Sequence, residues 1–163
     1  MESLSSDTSL RENPVQKLDP NILFDAVVHG EEAAVTHLVG LGISIDACDD
    51  QGMTALHWSA ASPEGEALVP FLLSVGAKLE SRDKVGHTPL HLHCAQGRLF
   101  GASCLLHHGG DANARTQKTL LTPLHLAADM QHVDITRLLL AYGARQDAKD
   151  GSGKRPKEVW VDT

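Results

Sequence analysis

The chain has 163 residues, 42% hydrophobic and 21% charged, enough for one compact domain or one short repeat array. Its 21 acidic and 14 basic side chains give a formal net charge of -7, which argues against nucleic acid and anionic membranes as partners. No apolar run approaches the roughly 20 residues of a membrane helix, Met1-Glu2-Ser3 does not open a secretory leader, and Cys48, Cys94 and Cys104 follow no disulfide framework; a soluble, monomeric protein of the cytoplasm or nucleus is expected.

Residues 1–18 are Ser-rich and contain Pro14, the pattern of a flexible tail. Beyond them the sequence repeats itself. Thr54-Ala55-Leu56-His57, Thr88-Pro89-Leu90-His91 and Thr122-Pro123-Leu124-His125 stand 34 residues apart, and the glycines Gly42, Gly76, Gly109 and Gly143 follow at spacings of 34, 33 and 34. Units are expected at about 19–50, 51–83, 84–116 and 117–150, with a partial cap at 151–163. Inside a unit, Leu124, Ala127 and Ala128, then Ile135, Leu138 and Leu139, recur at helical spacing around a polar break, which predicts two antiparallel helices. The Thr of each motif suits a helix N-cap, a following Pro suits the first turn, and the Gly suits the helix end.

Three stretches depart from this pattern. In the first unit, Asn21-Ile22-Leu23-Phe24-Asp25-Ala26 predicts a first helix without the Thr-Pro-Leu-His head. In the second, one extra residue falls in Ser62-Pro63-Glu64-Gly65. Pro63 there predicts a lengthened inter-helix loop, and Pro70 a shortened second helix that starts late. In the fourth, Gln117-Lys118-Thr119-Leu120-Leu121 lengthens the hairpin by one residue and puts two leucines at its tip, either folded back on the stack or awaiting a partner. Gly153 to Trp160 predicts a cap of one helix.

The Thr-Pro-Leu-His run, followed some twenty residues later by a Gly-Ala-Asp-x-Asn-Ala turn, resembles the ankyrin repeat, and the resemblance covers roughly Pro20 to Trp160. It implies an all-α solenoid of stacked helix-turn-helix units joined by β-hairpin-type loops. It also implies a non-catalytic role in protein–protein interaction, with the partner on the concave face made by hairpin tips and first helices. Mapped onto this chain, that face holds Asp50, Gln51, Met53 and Trp58, then Lys84, Val85, His87 and Gln96, then Lys118, Leu121, Asp129 and Met130. Trp58 stands where other units have Leu92 and Leu126; it is either an anchor for the partner or a ring laid on its own stack. Asn113 resembles hairpin asparagines that are hydroxylated in other ankyrin proteins. A looser likeness is to the compact ankyrin inhibitors of cell-cycle kinases, and an assembly chaperone is a further possibility.

His91-Leu92-His93-Cys94, Cys104 and His107-His108 have the ligand types of a zinc site, but no Cys-x-x-Cys pair or known zinc spacing. By resemblance His91 binds near the hairpin instead, and His93 is a bulky ring where an Ala is usual and is expected to loosen or reshape the third unit. Gly109-Gly110 and Gly151-Ser152-Gly153 lack the Lys-Thr or Lys-Ser pair that follows a phosphate-cradling loop. No cofactor, resident metal or catalytic constellation is expected.

Overall fold

The computed structural model describes residues 18–157. The predicted tail therefore lies outside the described residues except for Leu18, which packs against the core. Of the predicted cap helix, Gly153 to Lys157 are not helical, and 158–160 lie outside the described residues. Helices come in pairs: α1 (Asn21–Val28) with α2 (Glu32–Gly40), α6 (Pro89–Ala95) with α7 (Leu99–His107), and α8 (Pro123–Asp129) with α9 (Val133–Ala141). Between the first two pairs lie α3 (Ala55–Trp58), a 3-10 turn at Ser59–Ala61, α4 (Pro63–Ala67) and α5 (Val69–Ser74). Among the described residues there is no strand, only an isolated antiparallel bridge between Cys48 and Thr54.

Each second helix ends for the same reason. Gly42, Gly76, Gly109 and Gly143 take φ of 101, 92, 93 and 81°, left-handed values that cost a residue with a Cβ. The next N–H then turns back onto the helix: Ile43, Ala77, Gly110 and Ala144 donate to the carbonyls of Leu38, Leu72, Leu105 and Leu139, at 3.2, 3.0, 2.9 and 2.9 Å. The apolar residues between these stops form one continuous core, from Leu23 and Val27 through Leu56, Leu72, Leu90 and Leu105 to Ile135 and Leu139. Among the described residues no helix is long and apolar enough to cross a membrane.

The second unit corrects two expectations. Pro63 does not lengthen the loop; it opens α4 from the first turn, where its missing N–H has no partner to lose, and the Ser62 side chain caps the helix by accepting from Gly65 N–H at 2.9 Å. Nor does the second helix start late. It starts early and breaks at Leu68, because Pro70 has no N–H for the carbonyl of Glu66, and α5 begins again with Leu72 N–H on the Leu68 carbonyl at 2.9 Å.

His93 is fully buried, and its unit makes room for the ring with Gly101, the residue that faces it. Its Nε2–H donates to Ser59 Oγ at 3.0 Å, since the Ser59 hydroxyl is already committed to the carbonyl of Leu56 at 2.8 Å. Nδ1 is left without a partner.

Candidate partner-binding face

The hairpins are built on a side chain that takes the place of a turn's backbone. Asp49 Oδ1 accepts the N–H groups of Gln51 and Met53 at 2.8 and 2.9 Å. Asp83 Oδ1 accepts those of Val85, Gly86 and His87 at 2.8–2.9 Å, and Asp150 Oδ1 those of Ser152 and Lys154, each at 2.9 Å. Burial works to raise the Asp83 carboxyl, but the bonds from the backbone and ring of His87 and from Val85 N–H outweigh it and hold the group below the usual carboxylate range. In the fourth unit the Asp of the other hairpins is replaced by Thr116. Its Oγ1 accepts from Leu121 N–H at 2.9 Å and meets Thr119 Oγ1 at 2.8 Å. Leu120 then falls where the other hairpins have Gly52, Gly86 and Gly153, and it keeps their positive φ, at 52°.

The tips are also tied sideways. Lys84 N–H donates to Gln51 O at 2.8 Å, Gln117 N–H to Val85 O at 3.3 Å, and Gly151 N–H to Thr119 O at 2.7 Å. Behind them Arg82 donates to the carbonyls of Gly86 and Arg115 at 3.0 and 2.8 Å, and Arg115 in turn reaches that of Lys149.

A histidine joins each unit to the next. His57, His91 and His125 close capping boxes in which Nδ1 accepts from the N–H of Thr54, Thr88 and Thr122 at 3.1, 3.1 and 3.2 Å. Their Nε2 atoms face the carbonyls of His87, Leu121 and Lys154 at 3.0, 3.1 and 3.2 Å, and a carbonyl only accepts, so Nε2 carries the proton. Burial lowers the His57 and His91 pKa values, that of His91 to about 4. At the other end of the first helices the reach is backward: Ser62 Oγ donates to Val28 O, Arg98 to the carbonyls of Ala60 and Ala61, and His132 Nε2 to Ala95 O.

Of the residues that suggested zinc, His91 is held by Thr88 and Leu121, His93 by Ser59 through Nε2 alone, and His108 Nδ1 lies 2.8 Å from the carbonyl of Cys104. Among the described residues no group of three or more His, Cys, Asp or Glu could hold a metal ion. The ligand types are present, but the fold does not bring them together.

The family model described as ankyrin repeats (3 copies) matches residues 60–150, and one described as ankyrin repeats (many copies) matches residues 23–69. The chain belongs to the ankyrin-repeat family. No curated protein matches it. Ankyrin repeats are generally protein–protein interaction modules and generally non-catalytic.

The ankyrin stack sorts the residues mapped from sequence into two rows. Asp50, Gln51, Met53, Lys84, Val85, His87, Lys118 and Leu121 lie on the hairpins; Gln96, Asp129 and Met130 lie at the far ends of the first helices, about 10 Å along a seven-residue helix. Val85 and Met130 are the most open apolar members, 45% and 58% exposed. His87 is half-buried against Asp83, and Asp129 pairs with Lys157 at 2.9 Å. Leu121 folds back, its N–H on Thr116 and its carbonyl on His91, whereas Leu120 faces outward.

Trp58 joins the two rows. It belongs to a line of equivalent first-helix residues, Phe24, Trp58, Leu92 and Leu126, and is half-buried. Its ring stacks on Phe24 at 6.1 Å with an 18° interplanar angle, and its Nε1–H donates to Asp49 Oδ2 at 3.0 Å. Asn113 is held at both ends of its amide: Nδ2 donates to Gly143 O at 3.0 Å, and Oδ1 accepts from Arg145 N–H at 2.8 Å. The resemblance already puts a glycine near Leu120, and the alignment of Leu120 with Gly52, Gly86 and Gly153 agrees; sequence reasoning missed Arg82 and Arg115 as cross-hairpin ties.

Proposed function

We propose that this ankyrin protein holds a partner protein on the face formed by its hairpin tips and the exposed side of its first helices. The observation that supports this is preorganisation. Each tip is fixed by its own Asp or Thr and by a bond to the neighbouring tip, yet Lys84, Val85, Lys118 and Leu120 project with their side chains exposed. A surface already rigid in the free protein loses little order on binding. Compartment follows partner, in the cytoplasm or nucleus, with the chain as a monomer.

The test is affinity capture with the wild type, a Val85→Asp/Met130→Asp variant, and a Phe100→Ser variant. Phe100, at the start of a second helix, is 52% exposed and lies off the proposed face. Partners lost with the first variant and kept by the second support the face; the reverse result overturns it.

A second reading has one observation in its favour. The first helix of the second unit is reduced to Ala55–Trp58 and its second helix is broken at Leu68, and the compact kinase inhibitors that this chain loosely resembles also distort their second repeat. Inhibition of a cell-cycle kinase by the purified chain tests it. As a hydroxylase substrate, Asn113 would have to leave Gly143 and Arg145 to be reached; a mass spectrum of the cell-derived protein without one added oxygen on that residue removes the idea.

A further inference from the structure

The net charge conceals a separation along the stack. Residues 1–81 hold 13 acidic and 3 basic side chains, whereas residues 82–163 hold 8 acidic and 11 basic ones. In the second half Asp83 and Asp150 turn inward to their own hairpins, and Asp129 and Asp147 pair with Lys157 and Arg145. Lys84, Lys118 and Lys149 are exposed, and none of them pairs with a carboxylate among the described residues. Arg82 and Arg115 donate to carbonyls, which orients their guanidinium groups without neutralising them. Five cations thus share one edge, tied together by the bonds between hairpins.

Two apolar side chains stand among them, Val85 beside Lys84 and Leu120 two residues after Lys118, 45% and 37% exposed. Leu120 holds a left-handed backbone angle that the neighbouring hairpins give to glycine, and the burial of its side chain does no more than offset that cost. We propose that this edge, from Arg82 to Lys149, docks an extended acidic segment of the partner protein that carries apolar side chains between its carboxylates. The proposal rests on the protein-binding function above. The edge favours a peptide over a nucleic acid because no Phe, Tyr or Trp stands on these tips to stack a base, and the acidic first half repels a polyphosphate.

The experiment is fluorescence anisotropy of the full chain with a labelled peptide of repeated Glu-Glu-Leu triplets. An all-Glu peptide and a single-stranded oligonucleotide of equal charge serve as comparisons. Expected is saturable binding of the Glu-Glu-Leu peptide that weakens with salt and exceeds that of both comparisons. It falls roughly tenfold in Lys84→Glu/Lys118→Glu, in line with the loss of two exposed ion pairs. It also falls in Leu120→Gly, and it is unchanged in Lys78→Glu, whose lysine already pairs with Asp46. Melting temperatures keep the tip variants comparable with the wild type. No saturable binding, equal binding by the Lys84/Lys118 variant, or tighter binding of the oligonucleotide overturns the proposal. If the peptide fails while captured partners still depend on Val85 and Met130, the acidic segment alone is rejected; if capture ignores those residues, the face itself is.

Discussion

The ring of His93 lies against the bare Cα of Gly101, so close that a methyl group built there would stand 2.2 Å from Nδ1. The two residues solve one packing problem together. In the next unit the same two positions are Ala127 and Ile135, small and large exchanged, and both pairs are buried. Gly101→Ala alone therefore costs on the order of 3 kcal/mol, the upper range for overpacking. In a His93→Ala background the same change is neutral or stabilises by about 0.5–1 kcal/mol, the ordinary preference of a helix for Ala. Urea denaturation of the four proteins of this cycle measures the difference; equal costs in both backgrounds would mean that the ring does not set the limit.

Acid should loosen the stack through its histidines. Burial holds His91 and His93 at about 4 in the folded chain, against 6.5 for an exposed imidazole, and it lowers His57 as well. The unfolded chain thus binds more protons between these values. Stability is full above pH 6.5 and declines as the pH falls toward 4, with no further loss from these groups below it. The shifts correspond to roughly 3 kcal/mol for each of His91 and His93. His93→Ala flattens the slope of unfolding free energy between pH 6.5 and 4, and a slope unchanged by that variant would remove His93 from the account.

Leu120→Gly should change stability little although it removes a leucine. Relief of the left-handed backbone is worth about 1–2 kcal/mol, and losing the buried part of a side chain that is 37% exposed costs about as much. A melting temperature that falls would show that Leu120 packs more than it strains.

Trp58 is held by two separable contacts. Trp58→Phe keeps the stack on Phe24 and loses the indole bond to Asp49, a cost of about 1 kcal/mol. Trp58→Ala loses both, and is expected to cost about 3 kcal/mol. The Phe variant is thus the cleaner probe of partner binding, because truncation to Ala also disturbs the first two units. Unfolding free energies of the two variants decide; equal losses would leave the stack with no part in stability.

The three thiols should react in a fixed order with an alkylating reagent. Cys48 is exposed; Cys104 is partly buried, its pKa raised by burial and then by Glu66; Cys94 is buried, its pKa raised by burial alone. Labelling followed by mass spectrometry reads the order, and early modification of Cys94 in the native protein would contradict the packing of α6.

Helix starts and stops were legible because each is decided within four residues: Thr54 with His57 at one end, Gly76 with its neighbours at the other. Pro63 was misread because proline both ends one helix and begins the next. What decides between them is the Ser62 hydroxyl, whose bond to Gly65 is short-range and readable. The fit of His93 was only half readable in its own unit, where Gly101 makes the space it needs, because its bond is to Ser59 of the unit before. Thr116 was missed for a simpler reason: a hydroxyl can do a carboxylate's work in a turn, and a search for Asp passes over it. The basic edge was present in the sequence throughout, but one net charge averaged it with the acidic first half.

His57, His91 and His125 all grip the unit that follows through the same atom, and each finds the same kind of acceptor, a carbonyl at the return of the next hairpin. The parts are therefore interchangeable. If residues 84–116 were excised as a block, His57 would meet the Leu121 carbonyl that His91 now holds, with the fold's register intact; removing only a few residues would put the grip that spans the cut out of reach. Such a chain can lengthen or shorten by whole units during its history, and the surface it offers a partner changes in steps of one hairpin.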